Sequence, residues 1–441
     1  MARHLKPKSN IIQTVEVVDL SHEGQGIARL DGRAVFIDGA LPGETVTVQL
    51  LRQRKGIQEA ILNEVITPSA DRVTPKCEHY KMCGGCVGQH LDSAKQLQFK
   101  QTQLIENLTR IGKVAVPVIL PPLQAKVWNY RRRARLGARW VPQKSRTLVG
   151  FRERNNSKLA DIRRCVVLRE PLDTLIDPLS LLLGKLSVRD RVPQVEAAVA
   201  DNVTALVIRI LDDLTPADLE LLHAFQHEHG VQLYLQREGY DSIKPLQPDT
   251  AKPLLYGLPE FNLEFEFLPN DFIQVNAELN QLMISRALQL LEVNKQDQVL
   301  DLFCGLGNFS LPLAQQAGQV LGIEGETNLV ERARSNARRN NLHNVEFITS
   351  NLFEDQQHAP WTRRKFNKVL LDPPRAGARE ILPMLAKINA QRVVYISCHP
   401  GTLARDAGIL VNELGYTLLS AGVLDMFPHT AHVESIAVFD K

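Results

Sequence analysis

The fold is decided by residues 299–316, which read VLDLFCGLGNFSLPLAQQ. Residues 299–304 form an apolar run that is typical of a buried β-strand. Gly305 and Gly307 follow, and because glycine has no Cβ they allow a tight turn and the close approach of a ligand to the backbone. The residues after this turn have a helical pattern. We therefore predict a strand, a glycine-rich turn and a helix, a unit that binds nucleosides in many α/β proteins.

Strands and helices alternate along the rest of the C-terminal segment, and this alternation predicts a parallel sheet with crossover helices. Further strands are expected at residues 320–324, 345–350, 368–372, 393–397, 416–424 and 433–439, with helices at 326–340 and 401–414. The last two strands have no helix between them, so one of them should run antiparallel. For residues 266–441 we predict a Rossmann-like α/β domain with the seven-stranded, mostly parallel sheet of class I methyltransferases.

Two polar residues beyond the glycine turn support a nucleoside site. Glu324 ends the second strand, about twenty residues after the turn, where a carboxylate can accept hydrogen bonds from ribose hydroxyls. Asn351 ends the third strand, where a polar side chain can meet an adenine edge. Nicotinamide enzymes share this layout but use G-x-G-x-x-G, whereas residues 308–310 here read NFS. The pattern favours S-adenosylmethionine over a dinucleotide.

Two motifs at the ends of the fourth and fifth strands are candidates for the chemistry. They are DPPR at residues 372–375 and SCHP at residues 397–400. Ligands of open α/β sheets bind outside the carboxyl ends of the strands, so both motifs should face one crevice. N-methyltransferases often have an aromatic residue after the two prolines, and Arg375 therefore argues against simple amine methylation.

Cys398 is the candidate nucleophile. C5 of uracil is a poor nucleophile, but addition of a thiolate to C6 creates an enolate that can accept a methyl group at C5. The C5 proton must then leave, and Glu434, at the start of the last strand, is the candidate base. The alternatives are a small buried residue for Cys398 and a solvated strand end for Glu434. We interpret Cys304, beside the glycines, as a packing residue.

The N-terminal half has a different pattern. Residues 1–11 form a basic tail, and residues 12–70 contain short alternating apolar and polar runs with Gly and Pro between them, which predicts an OB-like β-barrel. Residues 71–265 mix strands and helices, and we assign them to a central α+β domain. Within it, residues 93–111 should form an amphipathic helix.

Composition limits the class of protein. Hydrophobic residues make up 44% and charged residues 23% of the 441, as in ordinary globular proteins. No apolar run approaches the roughly 20 residues that a membrane span needs. The basic N-terminus has no apolar segment behind it and so does not resemble a secretory signal. We expect a cytoplasmic monomer that makes no membrane contact.

Positive charge is concentrated in one segment. Residues 126–164 contain 13 Lys and Arg against two acidic residues, although the net charge of the whole chain is only +3. Within this segment, residues 129–135 (NYRRRAR) combine a tyrosine with four arginines, which can clamp phosphates and stack on bases. The segment favours an RNA partner, and the alternative is a solvated basic face.

Four of the six cysteines form a candidate metal site. Cys77, Cys83 and Cys86 lie within ten residues, and Cys165 ends the basic segment. By count alone, four cysteines suit zinc and an iron–sulfur cluster equally. Clustered cysteines in a cytosolic protein indicate metal binding or catalysis before disulfides.

Together these motifs resemble those of the RNA uracil-C5 methyltransferases. The shared series is DLFCGLGNF (301–309), DPPR (372–375), SCHP (397–400) and DMFPHTAHVE (425–434). Residues 12–70 also resemble a TRAM domain, an RNA-binding barrel. With the cysteine cluster, the resemblance is closest to family members that methylate 23S ribosomal RNA. One departure is His399, where the family usually has Asn.

The resemblance implies transfer of a methyl group from S-adenosylmethionine to C5 of a uracil in a ribosomal RNA loop. Cys398 would be the nucleophile and Glu434 the base. It also implies a 4Fe-4S cluster on the four cysteines, for which we predict a structural or RNA-positioning role, since methyl transfer moves no net electrons. The implied donor-binding residues are Gln274, Phe303, Asn308, Glu324, Asn351 and Asp372.

Three other functions fit parts of the sequence. A transfer RNA uracil-C5 methyltransferase would use the same chemistry, but the barrel and the cysteines favour the ribosomal enzyme. A non-catalytic RNA-binding or ribosome-assembly factor would need neither Cys398 nor Glu434. A radical enzyme usually carries C-x3-C-x2-C, whereas the spacing here is C-x5-C-x2-C.

Overall fold

The computed structural model describes residues 7–51, 53, 56–388 and 390–441. The N-terminal unit is built from strands β1 (Pro7–Leu20), β2 (Gly26–Leu30), β3 (Arg33–Ile37), β4 (Thr45–Leu51) and β5 (Gln58–Thr67). They close into a barrel in the order β1-β2-β3-β5-β4. Apolar residues such as Val46 and Val48 alternate along the strands and fill the interior. Of the predicted basic tail, residues 1–6 lie outside the described residues, and residues 7–11 belong to β1.

The central region contains a six-stranded sheet and a separate hairpin. Its elements are α1 (Ser93–Arg110), β6 (Val118–Ile119), β7 (Arg133–Val141), β8 (Arg146–Gly150), α2 (Ile176–Lys185), β9 (Gln194–Val199), β10 (Thr204–Arg209), α3 (Pro216–His229), β11 (Val231–Gln236), β12 (Lys244–Pro245), β13 (Leu254–Leu258) and β14 (Leu263–Phe267). The sheet order is β12-β11-β10-β9-β7-β8, and β13 pairs with β14. Helix α3 begins at a capping box of Thr215 and Asp218, with Pro216 in its first position.

The C-terminal region forms the second large sheet. Its elements are α4 (Ala277–Leu291), β15 (Gln298–Leu302), α5 (Ser310–Gln316), β16 (Gln319–Glu324), α6 (Thr327–Arg339), β17 (Val345–Thr349), β18 (Lys368–Leu371), α7 (Leu382–Lys387), β19 (Arg392–Ser397), α8 (Pro400–Asn412), β20 (Thr417–Leu424) and β21 (Glu434–Asp440). Short 3-10 turns lie at Pro142–Lys144, Tyr240–Ser242, Pro248–Thr250, Pro259–Phe261 and Pro360–Arg363.

The strand order of this sheet is β17-β16-β15-β18-β19-β21-β20-β6. Strands β15 to β19 pair in parallel, and β21 runs antiparallel to both β19 and β20, which confirms the predicted antiparallel strand. The prediction of seven strands was wrong by one. The two-residue strand β6 pairs in parallel with β20, and a strand that short has no readable period in sequence.

Helix α1 belongs in space to the C-terminal sheet, although it lies early in the chain. Leu104 and Leu108 are buried in the apolar layer that also holds α7 and α8. The end of α1 approaches α8 so closely that a Cβ on Gly112 would lie 2.5 Å from the backbone oxygen of Ala404. Only glycine fits this crossing without a shift of one helix.

The three helices predicted with bounds agree with the structure to within two residues at each end, namely residues 93–111 with α1, 326–340 with α6 and 401–414 with α8. Such differences are normal because helix ends fray. Within the part of the chain that the structure describes, no helix has the length and apolar character to cross a bilayer.

Candidate active site

The glycine-rich turn after β15 has the tight backbone turn that its sequence predicts. Phe303, Gly305 and Gly307 have φ angles of +65°, +56° and +95°, in the left-handed region. The backbone N–H of Gly305 donates to Oε2 of Glu324 at 3.1 Å, across the parallel pair β15 and β16. The predicted turn and the predicted carboxylate are therefore in direct contact, at the carboxyl end of the sheet.

Asn308 is fixed by two residues that the sequence reasoning missed. Its Oδ1 accepts hydrogen bonds from the Tyr256 hydroxyl at 3.1 Å and from Nδ2 of Asn280 at 3.0 Å. Its Nδ2 donates to Oδ1 of Asn280 at 2.9 Å. Tyr256 lies on the hairpin β13–β14 and Asn280 on α4. Neither residue belongs to a recognisable motif, so nothing local in the sequence identified them.

Phe353 contacts both Phe303 and Asn351. The rings of Phe303 and Phe353 are 5.7 Å apart, and the N–H of Phe353 donates to Oδ1 of Asn351 at 3.2 Å. Asn351 is exposed, so its side chain is accessible to a ligand. Gln274 lies just before α4, and its backbone oxygen accepts a hydrogen bond from Nε of Arg132 at 3.0 Å.

Two carboxyl groups beneath the turn are protonated more readily than usual. Burial raises the pKa of Asp372 to about 7. Burial also raises the pKa of Asp301 to about 7, and the Ser310 hydroxyl donates to Asp301 at 2.5 Å. Asp372 was predicted as a site residue. Asp301 was not, although a carboxylate in an apolar strand was a readable signal.

Strand pairing brings Cys398 and Glu434 together. Ser397 pairs with Ser435 across the antiparallel strands β19 and β21, so the next position along sets Cys398 against Glu434. Cys398 is partly exposed, whereas Glu434 is only 4% exposed. The structure therefore joins the two predicted catalytic residues, and it excludes the alternative of a solvated strand end for Glu434.

The charges at this pair oppose ionisation in the free protein. Burial raises the pKa of the Cys398 thiol to about 11, with further contributions from Glu434 and Asp372. Burial and the charge of Asp372 hold the pKa of Glu434 well above its usual range. Cys304 is buried in the apolar core with its pKa also raised well above the usual value, consistent with a packing role.

His399 replaces the asparagine expected beside the thiol and takes over its local role. Its Nδ1 accepts a hydrogen bond from the N–H of Thr402 at 3.1 Å and so caps α8. Asparagine is among the preferred residues at this position because its side chain can accept the same bond. The hydroxyl of Thr402 lies within hydrogen-bond distance of the backbone oxygens of His399 and Arg375, which connects the SCHP and DPPR motifs.

The four predicted metal ligands surround one cavity. Cys77, Cys83, Cys86 and Cys165 all line a space of about 220 Å³ in the central region. Burial raises the pKa of all four thiols, to about 11 for Cys86 and about 12 for Cys165. Among the described residues, no group of three or more His, Cys, Asp or Glu side chains is arranged to hold a metal ion, so the structure does not show the predicted 4Fe-4S site.

The arginine run at residues 129–135 is not uniformly free to bind RNA. Arg132 is only 1% exposed and stacks on Tyr256 with its guanidinium carbon 4.6 Å from the ring centre. Its inclusion among the RNA contacts was therefore wrong. Arg135 pairs with Glu196 at 2.9 Å but keeps an exposed side chain. The exposed cations of the basic segment are Lys126, Arg135, Arg139, Lys144, Arg152, Lys158, Arg163 and Arg164.

Two protein families match parts of the chain. The family described as tRNA (Uracil-5-)-methyltransferase matches residues 257–441, the region of the glycine turn and the thiol–carboxylate pair. The TRAM domain family matches residues 10–61, the region of the barrel.

Relatives match over almost the whole length. A protein of Legionella pneumophila named 23S rRNA (uracil(1939)-C(5))-methyltransferase RlmD is 48% identical over 100% of both chains. A protein of Methylococcus capsulatus with the same name is 49% identical over 96% of both. The crystal structure of Pyrococcus abyssi tRNA (uracil-54, C5)-methyltransferase with S-adenosyl-L-homocysteine superposes with a TM-score of 0.74, at 23% identity, over 97% of this chain and 100% of that one.

Proposed function

This chain belongs to the family of RNA uracil-C5 methyltransferases, and we propose that it methylates C5 of a uracil in 23S ribosomal RNA with S-adenosylmethionine as donor. The observation that carries the reaction type is the position of Cys398 beside Glu434, directly after the last pair of strands β19 and β21. The choice of RNA follows the full-length relatives, which bear the name of that activity. The product would be 5-methyluridine.

The thiol of Cys398 starts the reaction. As the thiolate, it forms a bond from sulfur to C6 of the uracil, and the C5–C6 electron pair moves to give an enolate with negative charge at C5. The donor substrate, when bound, supplies the methyl group to C5 from its sulfonium. The RNA is then joined to Cys398 through C6 and carries both a methyl group and a proton on C5.

Glu434 completes the reaction. Its carboxylate takes the proton from C5, the C5–C6 double bond forms again, and the bond from C6 to sulfur breaks to return the thiolate. A raised pKa suits this step, because a carboxylate with a pKa closer to neutral is a stronger proton acceptor. Burial also keeps bulk water away from the enolate.

The donor is held by the residues around the glycine turn. We assign Glu324 to the ribose hydroxyls and Asn351 to the adenine edge, because both end strands beside the turn. Gln274, Phe303, Asn308 and Asp372 complete the proposed donor site. Hydrogen bonds from Tyr256 and Asn280 already hold the amide of Asn308 in place.

We assign a 4Fe-4S cluster to the cysteine cavity, following the resemblance to family members that methylate 23S ribosomal RNA. The four cysteines line a common space of about 220 Å³. Their raised pKa values also fit a cluster, because buried thiolates need a cationic partner to remain ionised. When bound, the cluster would link the cysteine segment covalently to the end of the basic segment at Cys165.

The RNA would reach Cys398 as an unpaired loop. Addition to C6 requires approach perpendicular to the ring, so the target base must leave its stack. The TRAM-type barrel and the exposed cations of the basic segment offer contacts to the RNA backbone. Because ribosomal RNA is the proposed partner, we retain the prediction of a cytoplasmic protein.

Incubation of the protein with methyl-labelled donor and RNA tests the function. Transcripts of 23S ribosomal RNA and of transfer RNA are compared, and labelled 5-methyluridine is expected only in the ribosomal transcript. If label appeared in transfer RNA alone, the substrate would be transfer RNA and the proposed substrate would be wrong. With 5-fluorouracil-substituted RNA, fluorine blocks proton removal, so a covalent adduct should accumulate at Cys398. The Cys398→Ala variant should form no adduct, and a normal rate of methylation by that variant would refute the covalent mechanism.

A further inference from the structure

The loop that precedes Glu434 is held by parts of the chain that lie far away in sequence. We call residues 425–433, between β20 and β21, the base loop. Three of its consecutive backbone oxygens accept hydrogen bonds from outside the C-terminal sheet. Nζ of Lys100 donates to Phe427 at 2.9 Å, the Tyr130 hydroxyl donates to Pro428 at 3.2 Å, and the N–H groups of Val87 and Gly88 both donate to His429 at 2.9 Å.

The side chain of Gln96, on α1, connects the base loop with the segment that contains Gly88 and Leu91. Its Oε1 accepts a hydrogen bond from the backbone N–H of His429 at 2.9 Å. Its Nε2 donates to the backbone oxygens of Gly88 at 3.0 Å and Leu91 at 2.8 Å. Gln96 is buried, so loss of these bonds would leave several polar groups without partners.

His429 has a conformation that must be stabilised by its contacts. Its φ of +65° lies in the left-handed region, which is unfavourable for a residue with a Cβ. A glycine at this position would not be strained. We therefore infer that the contacts of the imidazole ring compensate for the strain of the His429 backbone. The ring is buried and stacks on Trp128, with centroids 3.9 Å apart and planes 25° from parallel. Nζ of Lys76 lies 5.2 Å from the centre of the Trp128 ring.

Some of these contacts begin beside a cysteine or at the cysteine cavity, whereas those of Gln96 and Lys100 begin on α1. Val87 follows Cys86, and Lys76 precedes Cys77. Tyr130 lines the cavity itself. The segment is also tied internally, since the N–H of Cys77 donates to Oε1 of Gln89 at 3.1 Å. The path of residues 76–89 around the cavity therefore sets the position of the groups that hold His429.

We propose that the cysteine segment, folded around its cluster, holds the base loop so that Glu434 is aimed at the C5 proton, with Gln96 and His429 as positioning residues. The inference rests on the proposed function. Pairing of β21 with β19 ends at Ser435, and Glu434 pairs on its other side with Leu424 of β20, so the base loop connects this last pair of the β20–β21 ladder. The cysteine site would then contribute to removal of the C5 proton, although the reaction involves no electron transfer.

The test separates proton removal from the earlier steps. The Gln96→Leu variant removes the three side-chain hydrogen bonds to His429, Gly88 and Leu91 at similar side-chain size. The His429→Gly variant removes the stacked ring and relieves the backbone strain. Gln98→Leu, on the exposed side of the same helix, is the control. Each protein is mixed with methyl-labelled donor and ribosomal RNA, and the methylated covalent adduct and the released RNA are followed over time. Iron and sulfide content are measured on the same samples.

In both variants we expect adduct to form at the normal rate and to resolve about 10- to 100-fold more slowly, the usual effect of a displacement near 1 Å. Their KM for RNA and their iron content should match those of the Gln98→Leu control. Normal resolution of the adduct in His429→Gly and Gln96→Leu would overturn the inference, as would slow adduct formation with loss of RNA affinity. If the unaltered protein forms no methylated RNA at all, the proposed function fails instead.

Discussion

Replacing Glu434 with Gln should make the Cys398 thiol easier to ionise while it stops turnover. The carboxylate of Glu434 is the largest charge that opposes the thiolate, after burial itself. The substitution keeps the size of the side chain and its buried position but removes the charge that the carboxylate carries when Glu434 is ionised. We therefore expect a more reactive thiol in a less active protein, with turnover lower by about 10²- to 10⁴-fold because the general base is lost.

The magnitude follows from the pKa of the thiol. The pKa of Cys398 is raised from its usual value of 9.0 to about 11. At pH 8, that difference lowers the thiolate fraction by about 100-fold, and the thiolate is the reactive form. The more basic thiolate is intrinsically about 6- to 10-fold more nucleophilic, so the net rate is roughly 10- to 15-fold below that of an ordinary cysteine. The variant should recover only part of this rate, since burial remains.

The assay is the reaction of donor-free protein with a small aromatic disulfide between pH 7 and 10. The mixed disulfide on the peptide containing Cys398 is quantified by mass spectrometry, with Cys398→Ser as the blank and denatured protein as the unperturbed reference. The logarithm of the rate should rise without a bend up to pH 10, because the thiol pKa lies above that range. A plateau that begins near pH 9 in the unaltered protein, or a slower reaction in Glu434→Gln, would refute the reasoning.

Three further substitutions test the packing, the cysteine site and the donor turn. Lys100→Met leaves the carboxylate of Asp425 buried without its partner at 2.7 Å and should lower the free energy of unfolding by about 3–5 kcal/mol in urea titrations. The same change at the exposed Lys95, on the same helix, should cost less than about 1 kcal/mol. Cys86→Ser should lose iron by elemental analysis and lower the melting temperature; full iron content would contradict the cluster assignment. Gly307→Ala places a Cβ 2.6 Å from a leucine side chain at a φ of +95° and should weaken donor binding at least tenfold by calorimetry, whereas unchanged affinity would exclude close approach of the donor there.

The C-terminal sheet and its site were readable because their signals are local. Each buried strand is an uninterrupted apolar run, and parallel strands that alternate with helices place their carboxyl ends at one edge. Glu324 and Cys398 could therefore be predicted as site residues from strand ends alone. The absence of a helix before β21 predicted its reversal, and the structure confirms it. Reversal also explains the pairing of Cys398 with Glu434, since only an antiparallel neighbour brings the start of one strand to the end of the other.

The contacts that the sequence did not reveal depend on side-chain direction or on long-range pairing. The run at residues 131–133 looked like a continuous positive surface, but successive side chains of an extended segment point to opposite sides. Arg132 therefore turns inward onto Tyr256, whereas its neighbours do not. Tyr256 and Asn280 could not be connected with Asn308, because a single tyrosine or asparagine carries no period or spacing.

Both chemical parts of the site depend on residues outside the C-terminal sheet. On the donor side, Tyr256 of the preceding hairpin fixes the amide of Asn308. On the base side, Gln96 and Tyr130 hold the loop that leads to Glu434. The C-terminal sheet alone therefore carries every reacting group, with the glycine turn, Cys398 and Glu434. It lacks the contacts that fix the Asn308 amide and the base loop. Catalysis needs such groups held to within about 0.5 Å. The central region consequently contributes to methyl transfer through geometry, independently of any contact that it makes with RNA.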